Sequence, residues 1–364
     1  MHSSRVLSAM AIIALSTAAL AACATESPEP GPSATPLPLT VNPACPADST
    51  PVGPSASELS DALTNARAGD TLALAEATYV GNFEITALSD GTVKLPVDKL
   101  LLNTTEEHVH NTLADNFLSA PLDTSVNGYL INTGNHLVLV DTGAGSLFGP
   151  TLGKLVEHLK ASGYEPADVD EIYITHMHPD HVGGLVSDGE IVFPNAIVRA
   201  SVEDQNFWLN EDNLKAADEG SKGFFKGAMA SLNPYVESGQ FKPFDKDQEL
   251  VPGISAVSAS GHTPGHSLYK VESGDNTLML WGDLIHVAAV QFPQPDIAIQ
   301  FDVNSEQAVE SRAQAFADAQ ETGYWVGSAH LSFPGLGHLK SADQGYEFIP
   351  ANYQGGVGAT ETGE

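Results

Sequence analysis

Cysteine is nearly absent from this chain: its 364 residues contain only Cys23 and Cys45. Both precede every motif with catalytic character, so neither a thiolate nucleophile nor a cysteine-bound zinc can serve that region. Positive charge is scarce too. Fifteen Lys and Arg stand against 46 Asp and Glu, a formal net charge of −31. Such a surface repels phosphate backbones and anionic lipid, which argues against a nucleic-acid partner. The acidity reads mainly as a solubility feature, since a pair of metal-binding carboxylates cannot account for it. Aromatic residues are few, yet apolar residues make up 42%. That is too many for a disordered chain and enough for a large packed core.

The beginning of the chain reads as an export leader. Arg5 precedes an apolar run from Val6 to Ala22 that is too short and alanine-rich to make a good membrane span. The run ends Leu20-Ala21-Ala22-Cys23 and resembles the bacterial lipobox, in which the cysteine is lipidated and becomes the new N-terminus. An ordinary signal peptide cut near the same alanines is the alternative. Several acyl chains on Cys23 would anchor the protein stably and leave Cys45 without an intrachain partner. The expected organisation is a lipoprotein-type signal peptide at 1–22, a Pro/Ser-rich linker at 23–57, an N-terminal extension at 58–81, a catalytic domain at 82–353 and a tail at 354–364. The expected location is outside the cytoplasmic membrane, tethered to it, in a periplasm or at the cell surface.

From Asn82 onward, apolar strand-like runs alternate with helical periodicity. Strands are expected at Phe83 to Leu88, Gly128 to Ile131, Leu137 to Val140, Glu171 to Ile174 and Ala196 to Arg199. Further strands are expected at Ile254 to Ser258, Ser267 to Val271, Thr277 to Leu280 and Tyr324 to Val326. Helices are expected from Thr151 to Ser162, with Leu152, Leu155, Val156 and Leu159 on one face, and from about Ser305 to Thr322. Strand runs in both halves suit an α/β protein with two stacked sheets covered by helices on both outer faces.

The strongest local signal is Thr175-His176-Met177-His178-Pro179-Asp180-His181, directly after the apolar Ile172-Tyr173-Ile174. In an extended segment His176 and His178 point the same way, and Pro179 forces the turn that separates them from Asp180 and His181. Imidazole and carboxylate together suit zinc, iron, cobalt or manganese. A surface His-rich loop without metal is the competing explanation, and a cluster this dense among thirteen histidines disfavours it. Downstream, Gly261-His262, Gly282-Asp283 and Ala329-His330 each follow a strand. Alone each is weak; in this order after the first motif they reinforce one another.

The series His-x-His-x-Asp-His, Gly-His, Gly-Asp and Ala-His resembles the binuclear metallo-β-lactamase superfamily, whose fold is a four-layer αββα sandwich. Val140-Asp141-Thr142-Gly143 resembles its first motif, where the Asp supports a ligand. The resemblance implies that His176, His178 and His262 hold one metal, that Asp180, His181 and His330 hold the other, and that Asp283 bridges them. It leaves His266 out of the ligand set. It implies two divalent metal ions, zinc first among the candidates, with Asp180 or Asp283 able to move a proton. Phe83 to Thr92, Gly223 to Met229, His286 to Phe292 and Leu331 to Gly335 further resemble the methyl parathion hydrolase family. That resemblance implies an aromatic pocket formed by Phe148, Trp208 and Phe225. His286 departs from it, because an apolar residue is expected there.

The leading expectation is therefore a metallo-hydrolase that turns water into a bridging hydroxide and attacks aryl phosphotriesters, with aryl esters as further substrates. The alternative is a lactonase acting on acyl-homoserine or related lactones. A β-lactamase fits less well, since those enzymes generally lack the bridging Asp, and a non-catalytic metal-binding or adhesion protein would need an incomplete ligand set. The expected partners are a small ester or lactone, a membrane reached through the anchor and a second copy of the chain, with no nucleic acid.

Overall fold

The structure, a computed structural model, describes residues 78–352 with the exception of 246. Cys23, Cys45, the leader, the linker, most of the N-terminal extension and the tail lie outside the described residues. The described chain opens with the hairpin β1 (Thr78–Val80) and β2 (Phe83–Leu95), followed by α1 (Val97–Leu100) and α2 (Glu106–Asp115). It continues through β3 (Leu122–Asn132), β4 (Leu137–Val140), α3 (Leu155–Ala161), β5 (Glu171–Tyr173) and α4 (Pro179–Val182). A short hairpin, β6 (Val186–Ser187) with β7 (Glu190–Ile191), precedes β8 (Ile197–Arg199). Three helices follow, α5 (Val202–Trp208), α6 (Glu211–Ala216) and α7 (Lys222–Ser238). The second half comprises β9 (Gln248–Val251), β10 (Ile254–Ser258), β11 (Ser267–Ser273), β12 (Asn276–Leu280), α8 (Ala288–Gln291), α9 (Ser305–Thr322), β13 (Trp325–Gly327), β14 (Leu336–Ser341) and β15 (Tyr346–Pro350).

Apart from the two-stranded β6-β7, these strands build two sheets, ordered β1-β2-β3-β4-β5-β8 and β15-β14-β13-β12-β11-β10-β9. The two-residue period of a strand sorts their side chains into layers. In β3 and β4, Tyr129, Ile131, Val138 and Val140 turn inward to meet Ile254, Tyr269, Leu278 and Leu280 of the other sheet. Leu130 and Leu139, one residue out of phase, face outward and pack on α3 and α7 through Leu155, Leu159, Ala228 and Leu232. On the far side, Met279 and Val326 face out against Phe316 and Ala319 of α9. The result is the expected αββα sandwich. Its inner layer is apolar on both faces, so each large side chain there contributes about 1.5–3 kcal/mol by leaving water.

Several boundaries differ from the sequence expectation. The domain start at Asn82 falls inside a hairpin: Thr78 pairs with Ile85 and Val80 with Phe83, so β1 belongs to the sheet. Strand β2 runs on past Leu88 to Leu95, with a bulge at Ser89/Gly91. The polar Asp90 obscured that continuation. Its carboxylate is buried and accepts hydrogen bonds from the amides of Ala144, Gly153 and Leu155. This tie also shortens the expected Thr151–Ser162 helix to Leu155–Ala161, because Gly153 adopts φ +85° and cannot lie in a helix. The seventeen-residue α7 was not expected as an element; Gly223, Gly227 and the internal Pro234 disguise its periodicity.

Candidate metal centre and active site

β4 and β5 run parallel in one sheet, and β12 and β13 run parallel in the other. Asp141, the His176 loop, His262, Asp283 and His330 all follow the C-terminal ends of strands. The sandwich thereby collects them at one rim. Pro179 occupies the first turn of α4 with His178 as its cap. Proline's fixed φ suits that position, and the chain switches from extended to helical there. His176 and His178 therefore precede the switch and Asp180 and His181 follow it.

All seven expected ligands converge in two groups. His176, His178, His262 and Asp283 form one set of mutually close donor atoms, and Asp180, His181 and His330 form another. His262 Nε2 lies 3.2 Å from His176 Nε2 and 3.0 Å from His178 Nδ1. Asp283 reaches both groups. Oδ1 is 3.1 Å from both His181 Nε2 and His330 Nε2, while Oδ2 is 3.3 Å from His262 Nε2, 3.6 Å from His176 Nε2 and also 3.1 Å from His330 Nε2. Asp180 Oδ2 stands 3.7 Å from His181 Nε2 and 3.6 Å from His330 Nε2. The geometry is that of a carboxylate placed between two donor clusters.

The imidazoles of His181, His262 and His330 are each held by the other nitrogen. Asp141 Oδ2 accepts from His181 Nδ1 at 2.8 Å, and Thr175 donates to both Asp141 oxygens through its amide and hydroxyl. Asp302 Oδ1 accepts from His262 Nδ1 at 2.9 Å, and the Ser125 carbonyl accepts from His330 Nδ1 at 2.8 Å. These contacts fix the tautomer that leaves Nε2 as a lone pair for a cation. Asp204, wholly buried, accepts from Met177 N, Thr263 Oγ1 and Gly265 N and so ties the first histidine loop to the second. His266 stays outside the ligand groups. Its Nδ1 donates to Ala259 O and its Nε2 accepts the amide of Asp283. Asp302 and Asp204 were not singled out from the sequence, because an isolated Asp in a loop or first helical turn carries no motif.

The donor set fits two metal ions. Three convergent imidazole nitrogens cannot all satisfy one another as donor and acceptor. His181 Nε2 and Asp283 Oδ1 are buried without a hydrogen bond, which is costly unless a cation accepts their lone pairs. Burial holds His176 and His178 neutral, well below the usual imidazole range. Burial opposes charge on His262 as well, yet its contacts with Asp283 and Asp302 push it up to about 9. Burial alone would raise Asp283, but the surrounding His181, His330 and His176 hold it well below the usual carboxylate range. The carboxylates thus stabilise positive charge at this spot, whether imidazolium or metal carries it.

The expected pocket residues are only partly brought together. Trp208 is buried with its ring 5.1 Å from that of His178. Phe225 lies behind it, 4.6 Å from Trp208, in the core under the first sheet. Phe148 packs instead with Val126, Ala144 and Leu152. The ring that reaches His178 beside Trp208 is Phe224, at 4.8 Å, and Phe301 lies 6.4 Å beyond it. A helical neighbour of an expected residue points about 100° away from it, so sequence alone cannot choose between Phe224 and Phe225.

The family described as the Metallo-beta-lactamase superfamily matches residues 122–318. That is more than half of the chain, and the protein belongs to this superfamily. An N-acyl homoserine lactonase from a Bacillus species is 30% identical over 198 residues, 49% of this chain and 69% of its own length. The matches to the Bacillus cereus and Bacillus thuringiensis lactonases span 60% and 57% of their lengths. Among solved structures, the hydrolase AbOPH in the beta lactamase superfamily superposes with TM-score 0.73 at 35% identity, covering 76% of this chain and 97% of its own. AidC, a dizinc quorum-quenching lactonase in complex with a product N-hexanoyl-L-homoserine, superposes with TM-score 0.71 at 30% identity, covering 77% and 98%. The chain is a metal-dependent hydrolase.

Proposed function

We propose that the protein opens lactone rings, with N-acyl homoserine lactones as the leading substrate class and two zinc ions as its cofactors. The observation that carries this reading is that Asp283 stands between the two donor groups, with the aromatic rings of Trp208 and Phe224 against His178 and Phe301 next to Phe224. Apolar rings beside the donor groups suit an uncharged, apolar substituent, as an acyl lactone offers. The named activities of the Bacillus relatives and of AidC support the lactone class over the phosphotriester class.

A divalent cation held by these donors would lower the pKa of water to about 7 and polarise a carbonyl oxygen. The remaining work belongs to the chain. Asp141 and Asp302 fix His181 and His262 in the orientation that presents Nε2. Asp180, with 16% of its side chain exposed against 3% for Asp283, is the carboxylate with access to solvent. It is the group placed to take the proton of the attacking water and give it to the ring oxygen as the C–O bond breaks. Water adds across the ester, so a neutral lactone becomes an anionic hydroxy acid. A chain of net charge −31 repels that product and favours its departure.

A second reading, an aryl phosphotriesterase, uses the same donors with Trp208 against an aromatic leaving group. A kinetic panel of acyl-homoserine lactones, aliphatic lactones, aryl phosphotriesters, aryl esters and a cephalosporin tests both, with metal content measured on the same sample. Higher kcat/KM on lactones than on any phosphotriester is the expected result, and the reverse order overturns the lactonase reading. We also propose that the mature protein is exported and tethered through lipidated Cys23. Soluble wild-type protein carrying no lipid by mass spectrometry refutes the anchor.

A further inference from the structure

His286 is an eighth ligand-capable residue: neither donor group described above uses it, but with Asp283 and His330 it forms a third set of mutually close donor atoms. It lies three residues beyond Asp283 and is only 2% exposed. Its ring stacks on His330 at 5.1 Å and 23°, and stands 5.1 Å from His262. It therefore touches one imidazole from each group. Its Nε2 lies 3.1 Å from Asp283 Oδ2. His330 and His181 have their protons held at Nδ1, whereas His286 Nδ1 has no hydrogen-bond partner, so its proton sits on Nε2 and is donated to the carboxylate.

The loop that delivers this ring is clamped from below. The amides of His286 and Val287 both donate to Gln291 Oε1 at 2.9 Å, and Gln291 Nε2 donates to Ile297 O. Arg312, buried on α9, donates Nε to Leu284 O and Nη1 to Ile297 O. A buried arginine held by backbone carbonyls makes the Leu284–Ile297 loop rigid, and this fixes where the His286 ring can be. His266 Nε2 then accepts the Asp283 amide, and His286 Nε2 meets its side chain at Oδ2, beside His330.

A bridging carboxylate has a geometric problem that this contact addresses. A free Asp side chain rotates about its terminal torsion with little preference, so its two oxygens need not stay divided between two groups. Oδ1 faces only the second group, through His181 and His330, while Oδ2 faces His176 and His262 of the first and also lies 3.1 Å from His330 Nε2. We propose that His286 is a positioning residue for Asp283, donating from Nε2 to Oδ2 so that one oxygen stays with each donor group and both metal ions are retained. The inference rests on the two-metal reading of the site. Its prediction is about ion retention and is independent of which ester is cleaved.

The experiment uses the full chain loaded with zinc, and measures both dissociation constants by competition with a chromophoric chelator. His286→Phe keeps a stacking ring but has no donor. His286→Gln keeps an N–H near the Nε2 position and is a poor zinc ligand. Wild type should bind two ions, His286→Phe should hold the weaker ion 10–100-fold less tightly, and His286→Gln should recover most of that loss. Metal-stripped wild type and both variants should unfold at similar temperatures, which separates retention from folding. Unchanged affinities in His286→Phe overturn the proposal. A loss in His286→Phe that His286→Gln does not rescue, with folding intact, also overturns it and makes the ring a direct ligand instead. Wild type binding fewer than two ions overturns the two-metal reading, and this inference with it.

Discussion

Asp141→Asn changes one buried atom and tests whether the hydrogen bonds behind the histidines govern the metal centre. Asp141 receives three donors at 2.8 Å: His181 Nδ1 and Thr175 Oγ1 at Oδ2, and the Thr175 amide at Oδ1. Asparagine is nearly isosteric but replaces one acceptor by an NH2. If the NH2 takes the Oδ2 position it faces the His181 N–H, and His181 can relieve the conflict only by moving its proton to Nε2. That abolishes its lone pair for metal. If the NH2 takes the Oδ1 position it faces the Thr175 amide and leaves a buried N–H unpaired. An unpaired buried donor costs about 1–3 kcal/mol, equivalent to roughly 2–4 °C in Tm per kcal/mol for a domain of this size. Loss of an orienting partner lowers metal affinity by about 10–100-fold. Both effects should appear together: a lower Tm in the metal-free protein, and weakened retention of the ion assigned to Asp180, His181 and His330 in chelator competition. Activity should then recover in part as zinc is raised. Asp141→Asn protein with wild-type Tm and wild-type affinity for both ions would falsify the argument that Asp141 sets the His181 tautomer.

Three other perturbations follow from the same geometry. Exhaustive chelation should abolish hydrolysis and lower Tm, and zinc should restore both; activity that survives verified metal removal contradicts a metal-dependent site. Gly261→Ala places a Cβ 2.1 Å from the Ala308 amide of α9 at φ +132°, so backbone strain plus overpacking should cost about 2–5 kcal/mol; denaturant unfolding with an unshifted midpoint would mean that the His262 loop tolerates displacement. Trp208→Phe, gentler than truncation at a buried site, should reduce aryl-substrate kcat/KM relative to an aliphatic lactone by up to about tenfold, or 1–1.5 kcal/mol; equal losses on both would show that Trp208 is core packing.

Much of the site was legible because its ligands come in short local strings. His176, His178, Asp180 and His181 fall within six residues, and their separation into two groups follows from Pro179. His262, Asp283 and His330 were found because each follows a strand and continues a recognisable order. The pocket was less legible. Phe224 and Phe225 are adjacent in sequence, but one approaches His178 and the other packs behind Trp208, a choice made by how α7 is rotated against the first sheet. Asp90 interrupts a strand pattern because it serves a loop more than fifty residues away, and only the folded chain shows that role.

The sequence by itself determined the α/β class, the stacking of two sheets and the identity of the donor residues. Strand alternation and ligand chemistry are local properties, written within a few positions of one another. The tertiary structure decided what those residues do for each other. It stood Asp283 between two groups, set Asp302 behind His262 from forty residues away, and brought Asp204 across to join Met177 with Gly265. It also laid His286 against the bridge. Such pairings depend on distances and angles between elements remote in the chain, and these are fixed only when the burial of both sheets sets the strand ends side by side.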